Sequence, residues 1–382
     1  MFRPQIQKTR VLAVMALITM GTIFWVANST EYIPSDDIQE KKTATQNMSI
    51  YINSLKSRTD VINSNIDLYD SRLVGLESSE ITSLFDDKEN SFLNSKVACT
   101  HPNFSALIIN LFNEAELSRG DTIAVSMTGS LPGANIALLA ACESFDLTPI
   151  VISSVASSAW GANRENFTWL DIESYLLDMN LISSNYKSKA VSIGGEGDIG
   201  ENLTDEGIEI IEENILFNDI ENFINENSSQ KNINKKIDIY SRFNSIQDYS
   251  AFVNIGGNSS SLGPGTGKDT MKVGVIFPIE VNDIVEENYD FEGSVAYKFS
   301  NNDVVFINIK NIKELSKSWD LYPPDTSIKR NEGSLFYSQE PYTFIAILVS
   351  LIINIVIISI VGIKSHNQIK RRMNNEEYDP IL

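Results

Sequence analysis

Histidine and cysteine are nearly absent. The 382 residues hold two histidines, His101 and His366, and two cysteines, Cys99 and Cys142. Zinc sites need several thiolates or imidazoles at close spacing. A Ser-His-Asp arrangement needs a histidine between nucleophile and carboxylate. Either would have to be built on His101 alone, because His366 follows the last apolar run, so the sequence implies no metal site. The two cysteines can pair in an oxidising compartment. Cys142 also falls in an apolar helical run, where a free buried thiol is equally natural.

Basic charge is scarce as well. The chain has 30 Lys and Arg against 50 Asp and Glu, a net charge of −20. Residues 29–340 keep 23 of the basic and 47 of the acidic side chains, a net −24. This field argues against nucleic acid and anionic lipid surfaces as direct partners. Solubility or adaptation to salt explains it better than any specific use. An anionic polymer would have to be held by local donors. The P-loop pattern G-x-x-x-x-G-K-[S/T] is missing too, which argues against ATP-driven ligation, and no cofactor is implied.

Two long stretches lack charge altogether, Val11–Ala27 and Tyr342–Ile363. A bilayer core ~30 Å thick takes ~17–25 apolar residues in a helix, so both 11–27 and 342–363 are expected to span a membrane; a buried core helix is the other reading. The first also has the basic start of a signal peptide. An A-x-A cleavage site would end on Ala27, but Trp25 puts a bulky ring at its other small position, which favours an uncleaved anchor. Arg3, Lys8 and Arg10 precede the first run, and Lys364, Lys370, Arg371 and Arg372 follow the second. Short basic flanks stay in the cytoplasm. The expected organisation is a two-pass protein of the cell (inner) membrane. Segments 1–10 and 364–382 are cytoplasmic, 28–100 form a stalk and leading segment, and 101–335 form an extracytoplasmic domain.

Inside that domain, Phe104, Leu107, Ile108, Leu111 and Phe112 recur at helical spacing, with Gly120 in "SRGD" as the expected stop. "TIAVSM" (122–127) reads as a strand, "TGSLPGAN" (128–135) as a turn, "IALLAACESF" (136–145) as a helix and "PIVISS" (149–154) as a second strand. Trp169, Ile172, Leu176 and Met179 mark another helix. Thr204 is an expected N-cap, with Asp205 and Glu206 in the favourable first turn. "AFVNI" (251–255) and "DVVFINI" (303–309) add strands, and residues 215–250 read as helix or loop. Short apolar strands alternating with helices predict an α/β, Rossmann-like, doubly wound and mostly parallel sheet.

Three glycine-rich loops each follow an expected strand: 128–135, 194–200 and 256–267. Ligands of open parallel sheets sit at the carboxyl ends of the strands, and glycine lets backbone N–H groups approach an oxyanion. Candidate ligand-binding residues are Thr128, Gly129, Ser130, Asn135, Gly194, Gly195, Gly256 and Gly257. Glu196 and Asp198 in "GGEGDIG" would repel a phosphate. Tight turning alone also accounts for the glycines. A further candidate is "SSAWGANRENFTWLD" (157–171). There Ser157, Ser158 and Asn163 can donate to carboxylates and Arg164 can clamp one, or the tryptophans simply pack inward. Catalysis lacks an obvious nucleophile–base pair. Ser126, Ser130 and Ser157 are possible nucleophiles, and Glu77, Glu143 and Asp171 possible bases.

The stretch 121–154 is similar to the phosphosugar-binding loop of sugar-isomerase-type domains. A wider set of segments resembles the poly-gamma-glutamate system protein family of bacteria. They are "GLESSEIT" (75–82), "TGSLPGANIALLAACE" (128–143), "VISSVASSAWGANRENFTWLDIE" (151–173), "VSIGGEGDIGENLTDEG" (191–207), "VNIGGNSSSLG" (253–263) and "INIKNIKELSKSWDLYPPD" (307–325). That resemblance implies a membrane-associated component of the machinery that makes or exports poly-gamma-glutamate, a capsule polymer, and carries no catalytic assignment. Its implied partners are the polymer, or a similar carboxylate polymer, and other membrane subunits of the complex. Three roles are open: a non-enzymatic component that binds or guides the polymer, a hydrolase or other enzyme acting on the polymer or a sugar-phosphate-like ligand, and a structural scaffold for the synthetase.

Overall fold

A computed structural model describes residues 9–58, 73–85, 91–263, 271–287, 289–319, 321–324 and 329–376. Arg3 and Lys8, residues 59–72 and 86–90 of the expected stalk and leading segment, residues 264–267 of the third glycine loop and the tail beyond 376 lie outside them. The chain divides into two units, residues 36–336 and the combined ends 1–35 and 337–382.

In chain order the helices and strands begin with α1 (Thr9–Ala27), β1 (Thr30–Pro34), α2 (Ile38–Leu55), β2 (Thr82–Leu84), α3 (Ser91–Thr100) and α4 (Asn103–Glu114). Next come β3 (Thr122–Thr128), α5 (Pro132–Phe145), β4 (Thr148–Ser154) and the short β5 (Ser157–Ser158), β6 (Asn163–Arg164) and β7 (Phe167–Thr168). They are followed by α6 (Trp169–Asp178), β8 (Ala190–Ser192), α7 (Asp205–Phe217), β9 (Phe223–Ile224), α8 (Ser229–Phe243), β10 (Ala251–Ile255) and α9 (Ser259–Leu262). The chain closes with β11 (Gly274–Ile276), α10 (Val281–Glu287), α11 (Val295–Ser300), β12 (Val305–Ile309), α12 (Ile312–Lys317), β13 (Tyr337–Pro341) and α13 (Phe344–Glu376).

The end unit holds two helices long and apolar enough to cross a membrane, Thr9–Ala27 and Phe344–Arg371, with mean hydropathies of 1.9 and 3.1. Each is almost wholly unburied, unlike a core helix. β1 and β13 pair antiparallel, Thr30 opposite Pro341. Asn354 joins the helices: its Oδ1 accepts from Thr19 Oγ1 at 2.7 Å, and its Nδ2 donates to Thr22 Oγ1 at 3.0 Å.

The larger unit is mixed α/β around a seven-stranded sheet of order β11-β12-β10-β3-β4-β8-β9. Every pairing is parallel except β11 with β12. The strands are near-continuous apolar runs because interior parallel strands are covered on both faces. From β3 the chain adds β4, β8 and β9 toward one edge, then returns to place β10 on the other side of β3. The strand order therefore reverses between β3 and β10.

One sheet face carries Ala124, Ile152, Phe252 and Phe306 against α8 and α11. There Phe252 stacks on Phe299 at 4.9 Å between ring centres, and Tyr240 meets both edge-on. α5, apolar on most sides, is buried along nearly its whole length. Residues 38–55 of the expected stalk and leading segment form α2, packed on α4 and α5 within this unit. α4 stops at Glu114 rather than at Gly120, with Glu116 taking the left-handed conformation (φ 57°). Thr204 caps α7 by accepting from Gly207 N at 3.0 Å. Both cysteines are free and buried, Cys99 on α3 and Cys142 on α5. Burial pushes the Cys99 thiol up to about 12 and the Cys142 thiol up as well.

Candidate functional site

A crevice of about 820 Å³ opens at the carboxyl ends of β3, β4, β10 and β12. In open α/β sheets the point where strand order reverses leaves room for a ligand at that end. Thr128, Ser130 and Leu131 line it from the β3–α5 turn, and Ser154, Ala156 and Ser158 from the end of β4 onward. Gly195, Glu196 and Asn202 come from the loop after β8, and Gly256, Gly257, Asn258 and Ser259 from the turn after β10. The segment following β12 contributes Lys310, Asn311 and Lys313, and α3 contributes Ser91, Phe92, Ser95 and Lys96.

All three glycine loops therefore reach one crevice. Of the twelve candidate residues, Thr128, Ser130, Ser158, Gly195, Gly256 and Gly257 line it; Gly129, Asn135, Ser157, Asn163, Arg164 and Gly194 are not among its lining residues. Asn135 is buried at the base of the first turn and donates to Thr128 O at 2.9 Å. Ser157 Oγ donates to Gly129 O at 3.1 Å. Gly129 is required by close approach: a Cβ there would lie 2.2 Å from Val155 O. Gly256 (φ 87°) passes so near Thr128 that a Cβ would come within 2.5 Å of its methyl.

Asn163 is fully buried and its side chain is committed to the backbone of Leu76 and to Thr82 Oγ1. The segment 157–164 is thereby laced to 75–84, continuing through the parallel pairing of β2 with β5. Arg164 lies on β6, half-buried. Among the other candidates, Ser126 bonds Ser261 at 2.7 Å in the core. Asp171 closes the capping box of α6. Glu143 accepts from Tyr51. Glu77 is exposed.

The loop 194–200 contains the G-x-G-x-x-G spacing at Gly195–Gly200 but lacks the dinucleotide context, in which the glycines open directly into a helix. Here the loop folds back through Gly200 N to Gly194 O at 2.8 Å, and α7 starts only at Asp205. Asp198 is turned inward, fully buried, with Oδ2 2.6 Å from Lys236 Nζ. Its Oδ1 accepts from Ser192 Oγ at 2.8 Å. Glu196 accepts from Ser259 Oγ at 2.9 Å. The two carboxylates that the sequence sets against an anion are thus engaged with the protein's own donors.

Three lysines, Lys96, Lys310 and Lys313, face one glutamate among the described lining residues. In a chain of net charge −20 this is a local reversal of sign. With the hydroxyls of Thr128, Ser130, Ser154 and Ser158 it makes a donor-rich crevice suited to an oxyanion. Sequence reasoning placed the cation at Arg164 and missed the lysines. Lys310 had a signal, as it directly follows an apolar strand. Lys96 had none, lying on a helix that reaches the crevice only through packing. Among the described residues no group of three or more His, Cys, Asp or Glu could hold a metal ion. No family model, curated protein or solved structure matches the chain.

Proposed function

We propose that this chain is a membrane-anchored component of a bacterial poly-gamma-glutamate synthesis or export system, and that its crevice binds and guides the anionic polymer. The apolar helices are the two membrane spans, both termini are cytoplasmic, and the larger unit is an extracytoplasmic, doubly wound domain. The observation that carries this reading is the meeting of Lys96, Lys310 and Lys313 at the carboxyl ends of the strands on an otherwise acidic protein. Outside the cytoplasm carboxylates are plausible occupants of an oxyanion site. The acidic surface holds the bulk polymer off while the crevice takes single carboxylates. Resemblance in six segments, five of which supply crevice-lining residues, points to the glutamate polymer.

The test is calorimetric titration of the detergent-solubilised full chain with short gamma-linked glutamate oligomers, repeated with Ser130→Ala and Lys310→Ala. Saturable binding is expected, about tenfold weaker in Lys310→Ala, the equivalent of one charge-assisted hydrogen bond. Added salt should weaken it further. No heat at millimolar oligomer with the chain folded rejects direct binding and leaves the scaffold role.

A further inference from the structure

The geometry points to a catalytic pair in this crevice, Ser158 as nucleophile and Lys96 as its base, acting on acyl groups. The inference goes beyond polymer binding and takes only its substrate class, gamma-glutamyl amides, from that reading. Lys96 Nζ lies 2.8 Å from Ser158 Oγ. Both residues are at least nine-tenths buried, at 5% and 4% exposure, yet both line the crevice. They come from separate elements 62 residues apart, α3 and β5, so no local turn forces the contact.

The serine is held firmly. Ser158 pairs with Leu84 across β2 and β5, and the next amide, Ala159 N, donates to Leu84 O at 2.8 Å. Ser158 N donates to Ser130 Oγ at 3.0 Å. That bond uses the oxygen of Ser130 as acceptor and leaves its hydroxyl proton to donate. A donor beside the nucleophile is what a developing oxyanion requires. Of the other candidate nucleophiles, Ser126 is tied to Ser261 in the core and Ser157 Oγ donates to backbone carbonyls. Ser260 also meets a buried lysine, Lys236 at 2.8 Å, but neither lines the crevice and that lysine is paired with Asp198.

The step balances with water as the only co-reactant. Lys96, as the neutral amine, takes the Ser158 hydroxyl proton while Oγ bonds to the amide carbon. The tetrahedral oxyanion faces Ser130. Collapse breaks the C–N bond, and the Lys96 ammonium returns the proton to the leaving nitrogen. Water then attacks the serine ester, giving its proton to Lys96, which passes it to Ser158 as the carboxylic acid leaves. Lys310 and Lys313, on the same crevice lining, hold substrate carboxylates.

The test offers the folded, detergent-solubilised full chain two acyl donors: gamma-linked glutamate oligomers and p-nitrophenyl acetate, an ester without a carboxylate. Shortened oligomers and an acyl mass on Ser158 are read by mass spectrometry. Ser158→Ala and Lys96→Arg, each checked for folding by circular dichroism, should lower cleavage at least about a hundredfold. Arginine keeps the charge but cannot act as the base. Wild-type adduct at Ser158 supports the pair even if a variant fails to fold. An adduct from the ester with no oligomer binding keeps the pair and rejects the polymer. Oligomer binding with neither cleavage nor an adduct at Ser158 from either donor overturns the pair and leaves the binding role intact.

Discussion

The side chain of Asn163 hydrogen-bonds both backbone groups of Leu76, 87 residues upstream: Oδ1 accepts from Leu76 N at 2.7 Å and Nδ2 donates to Leu76 O at 2.8 Å. The amide imitates the edge of a strand. Its second Nδ2 proton goes to Thr82 Oγ1 at 2.9 Å. One side chain thus fastens the 75–84 segment under the wall that carries Ser158.

Asn163→Ala should accordingly be a folding mutation. It strands one donor, Leu76 N, and two acceptors, Leu76 O and Thr82 Oγ1, for a loss of about 3 kcal/mol. Asn163→Asp should also destabilise, because both Nδ2 donations vanish and a charge is buried. Thermal unfolding of the full chain measures both. A shift for Asn163→Ala equivalent to less than about 0.5 kcal/mol, the range of an ordinary surface change, would contradict this assignment.

Glycines of the same crevice should divide by what surrounds them. Gly129→Ala would drive a methyl against Val155 O, 2.2 Å from the ideal Cβ, where two backbones meet and neither can yield cheaply. A loss of about 2 kcal/mol is expected from such overpacking. A Cβ on Gly257 would touch only Lys310 Cε, at 3.4 Å. Gly257→Ala should keep its melting temperature and alter oligomer affinity by displacing that lysine. Equal melting losses in the two variants would show that the crevice wall is not divided in this way.

This contrast bears on what could be read from the sequence. The apolar strands, the turn after β3, the Thr204 cap and the long apolar ends announce themselves by period, composition and cap chemistry, which are local properties. β9 and β11 did not: each is short, and each gains its partners only when the sheet closes. At the crevice, glycine loops after strands were legible because strand polarity fixes where such loops go. The role of each side chain was not. Asn163 looks the same in sequence whether it meets a ligand or Leu76. Asp198 looks hostile to an anion until Lys236, 38 residues later, is placed beside it. Lys96 enters the site by helix packing, which no motif records.

Glu173 should make stability depend on pH. It is buried on α6, and burial pushes its carboxyl up from 4.5 to about 7, although Ser188 N and Ser188 Oγ donate to it at 3.1 and 2.8 Å and oppose the rise. The folded chain therefore binds more protons than the unfolded chain between these pH values. Stability from this group is full below about pH 4.5 and is lost as pH rises through 7. The shift corresponds to about 3 kcal/mol. Glu173→Gln should remove that slope, so its stability relative to wild type improves by about this amount from pH 4.5 to pH 8. Parallel urea-denaturation curves at the two pH values, with no change in the difference, would count against the buried carboxyl as the source.

The Asp198–Lys236 pair is the last case, and it separates charge from position. Both side chains are essentially without solvent contact, and Lys236 Nζ also donates to Ser260 Oγ at 2.8 Å. Asp198 Oδ1 additionally meets Asn258 Nδ2 at 3.3 Å. The pair thus holds the turn that presents Asn258 and Ser259 to the crevice. Lys236→Met leaves a buried carboxylate without its cation and should lose about 3–5 kcal/mol. Asp198→Asn keeps a residue that tolerates the left-handed conformation found here (φ 62°). The double variant has no buried charge to compensate, so it should be more stable than Lys236→Met alone. A double-mutant cycle on thermal unfolding should give a coupling of about 2 kcal/mol or more. Additive losses would mean that the two residues stabilise the turn separately, and oligomer binding by the double variant would then report on packing rather than on the ion pair.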